Sequence, residues 1–102
     1  MSDITSRHRA LVARVLEGHG KASLAVRRSA FDNSGLDEPT STLVDKVARH
    51  ANTITDADIA AVRAAGLSED QIFEIVVCAA IGQANRQYSS ALAAFDAATG
   101  GT

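Results

Sequence analysis

The sequence predicts an all-α fold, a small bundle of about five helices packed around one long C-terminal helix. Three observations predict it. Apolar residues recur at steps of three and four along most of the 102 residues, the spacing that puts them on one face of a helix. No stretch alternates apolar and polar residues as a half-buried strand would, and Pro39 is the only proline. Ser68 to Ala98 holds most of the bulky apolar side chains outside the N-terminal helix, so the rest of the chain must pack around it.

Met1 to Ser6 is short and polar, and residues 1–5 and 99–102 are expected to fray. Ala10, Leu11, Val12, Val15 and Leu16 then form the stripe of a first helix, which should end where Gly18 and Gly20 bracket His19. The second helix has Ala22, Leu24, Ala25, Ala30 and Phe31 as apolar positions, with Arg27 and Arg28 outside. Asp32-Asn33-Ser34-Gly35 is a turn. Pro39 suits the first position of a third helix, whose buried face is Leu43, Val44, Val47, Ala48 and Ala51. Thr55 is placed to cap a fourth, carrying Ile59, Val62 and Ala65 and stopped by Gly66 in a left-handed conformation.

Ser68, three residues before Gln71, has the capping-box spacing that opens the last helix. From Ile72 to Ile81 only Glu74 is charged, so this part is expected to be buried all round. Beyond Gly82 the apolar positions narrow to Ala84, Tyr88, Ala91, Leu92 and Phe95. A continuous helix of this length spans about 46 Å at 1.5 Å per residue, more than the diameter of a compact 102-residue domain. Either it breaks near Gly82 or its end projects, and a projecting end exposes Tyr88, Leu92 and Phe95 as an interface to a second copy.

The formal net charge of −2 lacks the basic footprint that phosphate contact requires. Asp58 to Val77 has a helix-turn-helix outline, but its second helix opens with Glu69, Asp70, Gln71 and Glu74, which repel phosphates. Nucleic acid is therefore not the expected partner. No apolar run is long enough to cross a membrane, and a single cysteine suits a reducing compartment. Residues 1–102 read as one cytoplasmic domain without membrane association.

Cys78 stands one helical turn after Glu74, and a neighbouring carboxylate disfavours the thiolate that reactive cysteines use. The expected role is that of a small buried hydrophobe. His8, His19 and His50 fall on different elements with no metal-ligand spacing, and neither a metal nor a cofactor is expected. His50, near a helix end, is expected to face the last-turn carbonyls. Glu74 and Arg86, the charges between Ile72 and Ala94, must find partners, either in each other, in a neighbouring helix or in a ligand.

The segment Ile54 to Arg86, ITDADIAAVRAAGLSEDQIFEIVVCAAIGQANR, resembles the C-terminal half of the alkyl hydroperoxidase D-like and carboxymuconolactone decarboxylase-like superfamily. The resemblance covers about a third of the chain. It implies an all-α fold, oligomers formed through helices and, in the peroxidase branch, a Cys-x-x-Cys-x-x-x-His motif with an upstream Glu. That motif is missing here, because Cys78 is the one cysteine and the segment around His19 does not match. The expected function is thus a non-catalytic or degenerate domain of this kind, serving as an oligomeric binding or assembly module, with a protein encoded by a neighbouring gene as a candidate partner. The alternative is a cofactor-free decarboxylase or isomerase acting on a small carboxylate. In that reading Arg86 and Glu74 contact the ligand, and His50, His19, Arg86 and Cys78 are the catalytic candidates.

Overall fold

A computed structural model describes residues 2–100, with side chains from residue 6 onward. The chain is 77% helix, and no strand occurs among the described residues. Five helices follow one another: α1 (Ser2–Glu17), α2 (Leu24–Asp32), α3 (Thr40–Arg49), α4 (Asp56–Ala64) and α5 (Glu69–Ala98). A single 3-10 turn, Ala51–Thr53, joins α3 to α4. Helix α1 starts at Ser2, inside the stretch expected to fray. Met1 and residues 101–102 lie outside the described residues.

The helix boundaries follow from local chemistry. Ser23 Oγ accepts from the Val26 N–H at the start of α2, and Asn33, at φ 51°, closes the helix in the left-handed region. Helix α3 begins at Thr40, so Pro39 sits one residue before the position expected for it. Its cap is Glu38, whose carboxylate accepts from the Thr42 N–H at 2.9 Å and from the Ser41 and Thr42 hydroxyls. A negative charge here also opposes the positive end of the helix dipole. Reciprocal capping boxes open α4 (Thr55 with Asp58) and α5 (Ser68 with Gln71). Lys46 Nζ lies 2.8 Å from Asp58 Oδ2 and so ties α3 to the cap of α4.

Gly66 has φ +107° and no atom within 4 Å of where a Cβ would stand. A side chain there would meet no neighbour but would suffer the left-handed backbone, a cost of about 1–2 kcal/mol. Gly66→Val should therefore lower the midpoint of thermal unfolding, followed by circular dichroism, by roughly 5–10 °C; an unchanged midpoint would refute this account of the turn.

The core forms two clusters along α5. Ala30, Phe31, Val44, Ile75, Cys78 and Ala79 make one, between α2, α3 and α5; Leu43, Val62 and Ile72 make the other, under α4. Helix α1 runs antiparallel to α5, since Val15 lies against Cys78 and His8 against Asn85. Several expected core positions are not buried. Phe73 is 70% exposed, so the Ile72 to Ile81 segment is not covered all round: the four shorter helices leave one side of α5 open. Leu24, Ala51 and Ala65 are also exposed, the first beside the N-cap of its helix and the other two at helix ends. Arg27, expected outside, is 5% exposed.

Helix α5 does not break at Gly82. It is continuous for 30 residues, about 45 Å at 1.5 Å per residue, in a molecule 51 Å along its longest axis. Residues 89–100 are exposed, so its last turns project beyond the bundle. Gly82 is instead the point where α5 touches α2 most closely. A Cβ at this position would overlap the Phe31 carbonyl oxygen and stand 2.7 Å from its carbonyl carbon.

Candidate functional site

The charges nominated on α5 find separate partners. Arg86 Nη1 donates to the Phe31 carbonyl at 2.6 Å, while Nε and Nη2 donate to Gln83 Oε1. That carbonyl belongs to the last turn of α2, where backbone acceptors lack helical partners and a cation is favoured. Arg86 is thus engaged in joining two helices one turn beyond Gly82, and it lines none of the principal cavities. Glu74 lies three turns earlier. Its carboxylate accepts from the Lys21 N–H at 2.8 Å and the Ala22 N–H at 3.0 Å, which fastens the α1–α2 loop to α5. Burial pushes its carboxyl up, yet the net direction is downward, because the Ala22 and Lys21 amides and then the Arg27 charge favour the ionised form.

A cavity of about 200 Å³ opens at this point between α1, α2 and α5. Arg14, His19, Arg27 and Glu74 supply its polar lining; Val15, Phe73, Val77 and Cys78 supply the apolar part. Three of the nominated residues, His19, Glu74 and Cys78, therefore meet at one place. His50 does not join them. It terminates α3 through its backbone N–H, which donates to the Lys46 carbonyl, and its exposed side chain borders a shallow hollow with Asp45, Lys46 and Thr53. No family model, curated protein or solved structure matches the chain.

Sequence reasoning misplaced two residues of this site, Phe73, which is exposed, and Arg27, which is buried. Arg27 lies on α2 facing α5, with Nε donating to the Ala22 carbonyl at 3.0 Å and Nη1 to the Gly18 carbonyl. The guanidinium thus gathers both ends of the loop that Glu74 holds from the other side. The short apolar stripe of α2 gave little guidance, since adjacent arginines on a nine-residue helix ordinarily both face water. The signal available was Gly20, whose missing side chain leaves room for the Glu74 carboxylate and the Arg27 guanidinium.

Cys78 is buried, and burial is the main cause that pushes its thiol up, with Glu74 adding to the effect and Arg27 opposing it. The Sγ donates weakly to the Val15 carbonyl at 3.5 Å. A protonated, enclosed thiol without a second cysteine has neither the thiolate nor the resolving partner of a thiol peroxidase. Cys78→Ser should therefore leave any turnover intact. A peroxide-dependent activity in the wild type that vanishes in this variant, measured by peroxide consumption, would reverse the conclusion.

A broader cleft of about 530 Å³ lies on the other side of the α1–α2 loop, lined by parts of α2, α3 and α5. It contains none of the nominated residues. Two of its polar groups are already engaged: Glu38 caps α3, which lowers its pKa through the Ser41 and Thr42 hydroxyls, and Gln71 caps α5. Among the described residues no three His, Cys, Asp or Glu converge as metal ligands, and no helix is long and apolar enough to cross a membrane.

The nominated interface divides in two. Tyr88 is half-buried because His8 stacks on it at 4.7 Å between ring centroids and binds Asn85 Oδ1 at 2.6 Å through Nε2. Leu92 and Phe95, one and two turns further, are 42% and 63% exposed.

Proposed function

We propose that this chain is a helical domain of the alkyl hydroperoxidase D-like and carboxymuconolactone decarboxylase-like kind, without the dithiol site, that acts as an oligomeric binding or assembly module. The observation that carries the proposal is the projecting end of α5. Leu92 and Phe95 are exposed to water on the last turns of α5, where residues 89–100 are all exposed, at about 1.5–3 kcal/mol for each large side chain left unburied. Packing the same stripe of a second copy against it removes that cost, and Ala91 and Ala94 allow the two backbones to approach. The resemblance of Ile54 to Arg86 to the superfamily supports the assignment in kind, because this segment forms α4, the Gly66 turn and the first half of α5.

Light scattering at micromolar concentration should give at least twice the chain mass of 10.6 kDa. Leu92→Asp with Phe95→Asp should shift it to monomer while circular dichroism stays unchanged, since neither side chain belongs to the core clusters. A wild type that scatters as a monomer would end the proposal.

The second reading, a cofactor-free decarboxylase or isomerase, is favoured by one observation: His19 and two arginines share a cavity with Glu74. In it His19 would carry the proton. His50 and Arg86 have no part in that reading, because they lie elsewhere and have other partners.

A further inference from the structure

The side of α5 that the four shorter helices leave open is apolar along most of the helix. Phe73, Ala80, Ala84, Ala91 and Phe95 are exposed on it, and Val77 and Tyr88 are half-buried beside them. These positions recur at steps of three and four, so they share one face. Between Phe73 and Phe95 the charges of α5 are Glu74 and Arg86, and both turn to their own chain, to the Lys21 and Ala22 amides and to the Phe31 carbonyl. A second helix can therefore lie along this face without burying a charge. Phe73 also walls an almost wholly apolar groove between α4 and α5, formed with Ile59, Ile72 and Val76 and completed by the Arg63–Glu69 ion pair. The chain exposes more surface than a compact monomer of its mass. Its 6652 Å² exceeds by about 1,200 Å² the surface of about 5,500 Å² usual for a folded monomer of 10.6 kDa. A standard dimer interface covers about 800 Å² of each partner, so the excess is large enough to supply one.

We infer that a second copy covers this face with its own α5 running antiparallel, so that the projecting end of each chain lies against the Phe73 groove of the other. The inference rests on the self-association proposed above and adds its orientation, its register and its receiving surface. In this arrangement the face is complementary to itself. Phe73 and Phe95 stand equally far from Ala84 along the helix, as do Val77 and Ala91, and Ala80 and Tyr88. With a two-fold axis at Ala84, large residues meet small ones, Val77 on Ala91 and Tyr88 on Ala80, while Ala84 meets its own copy and the two phenylalanines pair at each end. A parallel pair would set Val77 on Val77 and Tyr88 on Tyr88, which holds apart backbones that the alanines otherwise let approach. Antiparallel pairing also rests each projecting end, residues 89–100, on the bundle of the other copy, and it opposes the two helix dipoles.

The test uses the full chain. Ala84→Cys, an exposed change, places two thiols at the two-fold axis, and non-reducing electrophoresis after mild oxidation should show most of the chain as a disulfide-linked dimer. Phe73→Cys and Phe95→Cys should each link little alone, because each position lies about 33 Å along the helix from its own counterpart in the other copy, and should link when mixed. Phe73→Asp should weaken the dimer by about tenfold or more in sedimentation across a dilution series, with circular dichroism unchanged, since Phe73 is 70% exposed. Should Ala84→Cys fail to associate when reduced, the mixed pair and Phe73→Asp decide. A dimeric wild type with no link through Ala84→Cys, a link through Phe73→Cys alone, or undiminished association of Phe73→Asp would each overturn the antiparallel register and leave self-association standing. A monomeric wild type would overturn both.

Discussion

Gly82→Val should be the most damaging single substitution in this chain, lowering stability by about 3 kcal/mol or more. At Gly82 the α5 backbone meets that of α2, and an added Cβ would overlap the Phe31 carbonyl group, with Phe31 Cα 2.9 Å away. Backbone cannot rotate aside as a side chain can, so the two helices must part. Overpacking of this sort costs about 1–3 kcal/mol when side chains can yield, and here both partners are main chain. Separation would also disturb the Arg86 to Phe31 bond one turn further along. For a domain of this size the midpoint of thermal unfolding should fall by roughly 12–24 °C. Ala80→Val, on the exposed side of the same helix, is the control and should cost a few tenths of a kcal/mol, within the ordinary range of about ±0.5 kcal/mol for surface changes. Equal melting temperatures for the two variants would show that α2 and α5 do not meet at Gly82.

Glu74→Ala should cost about 2–3 kcal/mol, because it leaves two amides of the α1–α2 loop without acceptors and takes a negative charge away from the neighbourhood of buried Arg27. The effect must depend on pH in one direction. The carboxyl of Glu74 is held below its ordinary 4.5 in the folded chain, so the folded state binds the proton less readily than the unfolded state does. Its contribution is therefore fully present above about pH 4.5 and is lost as the pH falls through the lower folded value. Asp58, lowered chiefly by Lys46, and Glu38, lowered by the Ser41 and Thr42 hydroxyls, act with the same sign. Urea unfolding of the wild type and Glu74→Gln should show a clear gap at pH 7 that narrows at pH 3. A gap of equal size at both values would mean that the carboxylate charge does not hold the loop.

The two results test the same half of the molecule from opposite ends. Gly82 governs how closely α2 approaches α5, and Glu74 governs whether the preceding loop stays attached. Loss of either should open the cavity at Arg27 and Cys78.

Much of the architecture was legible in the sequence because it is encoded locally. Ser68 with Gln71, Thr55 at the start of α4, the turn expected from Asp32 to Gly35 and Gly66 each act through hydrogen bonds or φ preferences that span only a few residues, and the structure places each in the expected role except Asp32, which ends α2. The three- and four-residue spacing likewise identified α3 and α5, since a helix imposes that period on any face it buries. What the pattern could not decide was which face meets which neighbour. Phe73 and Ile72 are adjacent and similarly apolar, yet one is 70% exposed and the other 6%, because only the number and placement of covering helices separates them. Gly82 read as a place where a helix weakens, and the approach of α2 makes it a place where a helix fits. Arg27 and Arg28 are chemically identical neighbours, but the first turns into the loop that Glu74 fastens and the second pairs with Asp32 at the surface. These outcomes depend on contacts 50 or more residues apart, between Lys21 and Glu74 or Phe31 and Arg86. Periodicity and propensity are local quantities, and the position of a distant backbone carbonyl is not among the things they encode.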